Sequence, residues 1–94
     1  MTFNQKQLDD IAEYAALFFS PAEIADMINV DNDEFQETIK DKNSIAPKTY
    51  YKHKYIQQAE IRKQIIKLAK HGSPQAEDMV NKYIAAQNSH EIDM

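Results

Sequence analysis

Apolar residues near the start of the chain recur at helical spacing: Leu8, Ile11, Ala12, Ala15 and Phe18 share one face of a helix expected from about Gln5 to Phe18. Ser20-Pro21-Ala22-Glu23 then carries the marks of a new helix start. Ser20 offers a capping oxygen, Pro21 lacks an N–H that would be unpaired in the first turn anyway, and Glu23 stands three residues after the cap to close a capping box. Ile24, Ala25 and Ile28 give this second helix its apolar face, and Asn29 tolerates the left-handed backbone that ends a helix. Val30 is an apolar residue in the following turn and is expected to pack inward. Asp31 or Asn32 caps a third helix, which carries Phe35 and Ile39 four apart, with Asp33, Glu34 and Glu37 placed near its positive end.

The segment Lys42 to Pro47 interrupts the pattern, because proline disfavours helical backbone at the preceding Ala46. It reads as a loop, with Pro47 as a first residue of the next helix. From there to His71 nothing breaks the chain, and Tyr51, Gln58, Ile61, Ile65, Leu68 and Ala69 line one face of a long helix. Gly72 ends it, Ser73 caps the next helix and Pro74 opens it, a join so short that the two helices must fold back as an αα-hairpin. Ala76, Met79, Val80, Tyr83 and Ile84 supply the answering stripe, whereas the tail AAQNSHEIDM loses its periodicity and reads as frayed. The expected fold is all-α: a helix-turn-helix three-helix core over 1–45, a helical hairpin over 46–88 and a frayed tail over 89–94, forming one compact unit. Ile61, Ile65, Leu68, Met79, Val80 and Tyr83 are expected to hold an interface between subunits as well as the hairpin's own seam.

Composition supports the helical reading, with 1 Gly and 3 Pro among 94 residues. The chain has no Cys, which excludes disulfides and thiolate metal sites and leaves a cytoplasmic setting as the expectation. No apolar run approaches the ~20 residues a bilayer span needs, and MTFNQKQLDD lacks the apolar stretch of a signal peptide, so neither membrane insertion nor export is expected.

Net charge is −4, but the charges are segregated along the chain. Residues 1–41 hold two lysines against ten acids, residues 42–72 hold eight Lys/Arg against Glu60 alone, and residues 73–94 hold Lys82 against four acids. This segregation changes how a DNA-binding reading must be built. The segment PAEIADMINVDNDEFQETI has the spacing of a helix-turn-helix, with the small Ala25 at the helix crossing and a tight turn at Asn29 and Val30. A recognition helix should present basic or amide side chains to the bases, yet this one presents Asp31, Asn32, Asp33, Glu34, Gln36 and Glu37. The better electrostatic candidate is the basic middle of the chain. Lys48, Lys52, Lys63, Lys67 and Lys70 fall in one sector of roughly 100° on the long helix, and Tyr50, Tyr51 and Tyr55 stand among the first of them as packing or stacking surface. Contacts to duplex DNA, through its phosphates, are therefore assigned to Lys42, Lys48, Lys52 and Lys54.

Catalytic chemistry has no visible seat. One Gly cannot make a phosphate-cradling loop, and Ser20, Ser44, Ser73 and Ser89 read as caps or loop residues rather than nucleophiles. His53, His71 and His90 read as surface residues rather than metal ligands. No enzyme activity, cofactor, metal or small-molecule substrate is expected.

The order of parts, a capped SPAEIADMINVDNDEFQETI, a polar loop, and a long basic helix ending AEIRKQIIKLAKHGSPQAEDMVNKYI, resembles the small terminase subunits of tailed bacteriophages. In that family a phrase of the form helix, LAKxGxPxA, helix follows a homeodomain-like unit, and Leu68, Ala69, Lys70, Gly72, Pro74 and Ala76 stand in those positions. The resemblance covers roughly residues 8–85. It implies a non-enzymatic subunit that recognises viral DNA for packaging in the host cytoplasm. It also implies assembly into a homo-oligomer through the hairpin and a separate large terminase subunit supplying ATPase and nuclease. The rival readings are a protein-interaction or regulatory module whose acidic first block docks a basic partner, and a small transcription regulator.

Overall fold

Each helix of the described residues, 1–93, starts behind a short polar side chain that accepts backbone N–H groups the helix cannot satisfy itself. In the computed structural model, α1 (Gln5–Ala16) is capped by Asn4. Asn4 Oδ1 accepts from the Gln7 N–H at 2.8 Å while Gln7 Oε1 accepts from the Asn4 N–H at 3.0 Å. This capping box, Asn-x-x-Gln, is legible in the sequence though the apolar stripe draws attention away from it. Ser20 and Glu23 form the same reciprocal pair ahead of α2 (Pro21–Met27), with Pro21 in the first turn. Asp31, rather than Asn32, caps α3 (Asn32–Lys40), accepting from the Glu34 N–H at 2.9 Å. Ser73 Oγ accepts from the Ala76 N–H at the start of α5 (Pro74–Asp93).

Between them, α4 (Ile45–Lys70) begins two residues earlier than proline chemistry suggested. Ser44 Oγ accepts from the Ala46 N–H at 3.2 Å, and Pro47 sits inside the first turn, where its missing N–H leaves no gap in the hydrogen-bond ladder. Burial of Ala46 and Pro47 offsets the local preference against helix before a proline.

Three of the helix ends share one device, in which a residue with positive φ lets two N–H groups turn back onto the last carbonyls. Asn29 (φ 60) plays this part after α2, with the Val30 N–H reaching the Ala25 carbonyl at 3.1 Å. Gly72 (φ 94) plays it after α4, with the Ser73 N–H reaching the Leu68 carbonyl at 3.2 Å. After α1 the same place is taken by Phe18 (φ 67), and the Phe19 N–H reaches the Tyr14 carbonyl at 3.1 Å. Phe18 is therefore not the last member of the α1 stripe. The helix has already ended, Phe18 is 44% exposed, and Phe19 packs beside the core in its stead.

The chain forms two compact units, Met1–Gln58 and a second from Ala59 onward. In the first, Ile11 and Ala15 of α1, Ile24 and Ala25 of α2, Phe35 and Ile39 of α3, and Ala46 and Tyr50 of α4 make one buried cluster. Phe3, Leu8, Tyr14, Phe19, Ile28 and Val30 pack around it, and Phe3 meets Phe35 edge-to-face at 5.8 Å. The sequence reading placed Tyr51 on the apolar face, but Tyr50 is the buried tyrosine, because it stands one turn after Ala46 and in phase with it.

The second unit folds back on itself: Arg62 lies over the ring of Tyr83 at 4.6 Å, each about ten residues from Gly72. Ala76 is buried at the seam, with Ile65, Ala69, Val80 and Tyr83 half-buried, while Ile61, Leu68, Met79 and Ile84 stay exposed. The tail is helical rather than frayed as far as Asp93, since AAQNSHE holds neither glycine nor proline to break the helix. Met94 lies outside the described residues. No helix among them is long and apolar enough to cross a membrane, and none of them forms a strand.

Two outcomes follow from the caps. Asn29→Ala should lower stability by about 1 kcal/mol, since alanine resists the left-handed backbone, whereas Asn29→Gly should not; urea midpoints of the two variants decide it. Backbone and side-chain hydrogen bonds with Ser20 hold the Glu23 carboxyl below its ordinary 4.5. Its contribution is therefore complete above that ordinary value and lost as pH falls through the lowered one. Melting temperatures measured downward from about pH 5 should fall more steeply for the wild type than for Glu23→Gln, which keeps a capping oxygen but cannot titrate.

Candidate nucleic-acid interface

Burial of Ala46, Pro47 and Tyr50 fixes the rotation of α4 about its axis, and with it the side chains left facing water. Lys48, Tyr51 and Lys52 are exposed as a result. At the end of α3, Lys40 occupies the last turn, where a cation suits the negative end of the helix. The loop from Asp41 to Ser44 then leads from α3 into α4.

Between them lies an open groove of about 470 Å³, lined by Ile39, Lys40, Lys42, Pro47, Lys48 and Tyr51. Three lysines share the lining with Ile39, Pro47 and Tyr51, and no acidic residue is among them. Asp41, between Lys40 and Lys42 in sequence, is turned away. Its Oδ1 accepts from the Asn43 N–H at 3.0 Å, and it lines a separate depression with Met1, Thr2 and Phe3. Among the described residues Lys40, Lys42, Lys48 and Lys52 make no ion pair. A largely apolar lining that includes three lysines with no ion pair suits an anionic group carried on a larger framework, such as a sugar-phosphate backbone.

Of the four lysines assigned to DNA from sequence, Lys42 and Lys48 meet in this groove and Lys52 stands exposed one turn further along α4. Lys54 is placed differently: it is half-buried with its Nζ over the Tyr50 ring, 5.8 Å from the centroid. Lys40 is the member that sequence reasoning passed over. Its position in the last turn of α3, two residues before Lys42, was the available signal. Further along α4, Lys63 pairs with Glu60 at 3.1 Å.

Tyr50 joins α4 to the α1–α2 corner: its Oη donates to the Phe19 carbonyl at 3.3 Å. Burial, and to a lesser degree the neighbouring Tyr51, Glu23 and Tyr55, push its phenol above the ordinary 10.0, so it remains a donor throughout the neutral range. Tyr51 meets Tyr50 edge-to-face at 5.0 Å and stacks on Tyr55, with 28° between planes and 6.0 Å between centroids. Asp31, which caps α3, and Asp33, Glu34 and Glu37 on it are all exposed, so the acidic character read from the sequence is presented to solvent. Of the residues assigned to an oligomer interface, Ile61, Leu68 and Met79 are exposed and Ile65, Val80 and Tyr83 half-buried. No group of three or more His, Cys, Asp or Glu among the described residues is arranged to hold a metal ion.

Comparison with protein-family models, curated proteins and solved structures finds no match to this chain.

Tyr50→Phe removes the bond to the Phe19 carbonyl while keeping the ring in the core. It should lower stability by about 1 kcal/mol in denaturant titration with no loss of helical circular dichroism.

Proposed function

We propose that the chain is a non-enzymatic DNA-binding subunit that grips the phosphate backbone at the α3–α4 groove and assembles through its carboxy-terminal hairpin. The observation that carries this reading is the convergence of Lys40, Lys42 and Lys48 around one groove free of acidic lining. Lys52 extends the same charge along α4. On this reading α2 and α3 form a helix-turn-helix in which α3 is a scaffold rather than the base reader, because its exposed Asp31, Asp33, Glu34 and Glu37 would meet phosphate with like charge. The resemblance to small terminase subunits supplies the biological setting: packaging of viral DNA, a homo-oligomer, and a large terminase subunit as partner. Exposed Ile61, Leu68 and Met79 suit that assembly, since a hairpin alone leaves them in water.

Four phosphates neutralised per subunit would give a slope of log affinity against log salt of about −4 on duplex DNA, multiplied by the number of subunits engaged. Lys48→Glu with Lys52→Glu should weaken binding to all sequences alike and flatten that slope, because phosphate contacts carry no base information. Fluorescence anisotropy at two salt concentrations reads both effects. The exposed acids of α3 favour a second reading, a module that docks a basic protein. Absence of salt-dependent DNA binding even near about 50 mM salt would leave that one standing.

A further inference from the structure

The stacked pair Tyr51 and Tyr55 serves no core. The two residues are 40% and 57% exposed, yet their rings stack at 6.0 Å, and Tyr51 also meets Tyr50 edge-to-face. Tyr50 in turn is fixed by burial and by its bond to the Phe19 carbonyl, so the pair stands on a rigid base. The sequence around them repeats: Lys48 precedes Tyr51 by three residues and Lys52 precedes Tyr55 by three. Residues three and four apart are neighbours on a helix surface, so each lysine lies beside a tyrosine, and the second pair follows the first by about 6 Å along the axis.

We propose that this ladder is a stacking platform for unpaired bases, so that the chain takes a single-stranded stretch of nucleic acid. Phosphates lie on Lys40, Lys42, Lys48 and Lys52, and bases lie against Tyr51 and Tyr55. The inference rests on the backbone-binding reading above and adds the state of the strand. A duplex keeps its bases stacked at about 3.4 Å per step with their faces hidden, and an exposed ring on a helix surface cannot reach them. An unpaired strand can stretch to the wider step of the ladder and lay its bases on the rings. Every base has a π face, so the platform tolerates any sequence, in keeping with phosphate contacts that read none.

The test uses the full chain with labelled oligothymidylate and a mixed-sequence duplex of the same length. Wild type should bind the single strand more tightly. Tyr51→Ala and Tyr55→Ala should each weaken single-strand binding by about five- to a hundredfold, Tyr55→Ala, which lies outside the groove lining, should leave duplex binding and the salt slope unchanged, and Tyr→Phe at either position should retain single-strand binding. The chain has five tyrosines and no tryptophan, so quenching of tyrosine emission by oligothymidylate gives a second readout, reduced in the Tyr51→Phe, Tyr55→Phe double variant. Both rings face water, and circular dichroism of the alanine variants checks that the fold survives; if it does not, the phenylalanine variants and the quenching carry the decision. Tighter duplex binding by wild type, or alanine variants that hold the single strand as wild type does, overturns the platform. If Lys48→Glu with Lys52→Glu still weakens binding in that case, the backbone reading survives alone. Failure of wild type to bind either probe removes both.

Discussion

The first unit depends on shared burial, because its parts are too short to stand alone. With seven and nine residues, α2 and α3 fall below the ~12–15 that an isolated helix needs in water. Each persists by placing two side chains, Ile24 with Ala25 and Phe35 with Ile39, in the cluster that Ile11 and Ala15 share. Phe35, fully buried, is the largest of these, and its ring is braced by Phe3 from outside α1. Tyr50 closes the cluster from α4. Its hydroxyl reaches a carbonyl 31 residues away, whereas the capping bonds described above close only single turns.

This closure connects packing to charge. Once Ala46 and Tyr50 are committed to the core, the helical period leaves Lys48, Tyr51 and Lys52 no choice but to face water. Lys40 in the last turn of α3 and Lys42 in the loop after it line the same groove, while Asp41 between them lines a separate depression. Charge segregation along the sequence thereby becomes a local field: lysines at the end of α3 and the start of α4, acids along the earlier turns of α3. A chain with net charge −4 can in this way present a basic site.

The hairpin shows the opposite balance. Its seam is narrow, with small Ala69 and Ala76 beside Ile65, Val80 and Tyr83, and Arg62 over Tyr83 covers part of it. Two helices cannot enclose a stripe as wide as the one the sequence carries, so Ile61, Leu68, Met79 and Ile84 remain in water.

Local chemistry made much of this legible. Side-chain oxygens at Ser20, Asp31 and Ser73, and the left-handed tolerance of Asn29 and Gly72, act on backbone groups within a turn of themselves, so the sequence alone determined those helix ends and the all-α class. Ile11, Ile24, Phe35 and Ile39 were readable as core from their period. Tertiary structure decided what local rules leave balanced. Burial of Ala46 and Pro47 drew α4 back to Ile45, where proline statistics favour a loop. Packing of Phe19 carried Phe18 into a left-handed turn that a bulky residue avoids by itself. The choice between adjacent Tyr50 and Tyr51 was made by packing in the first unit, where Tyr50 is buried and Tyr51 exposed. What settled it was the partner: α4 meets the cluster of the first unit through Ala46 and Tyr50, one turn apart, and the sequence does not show which turn of a long helix meets which neighbour. Lys40 joined the site for the same reason: a groove is made by two elements meeting, and the sequence describes each of them separately.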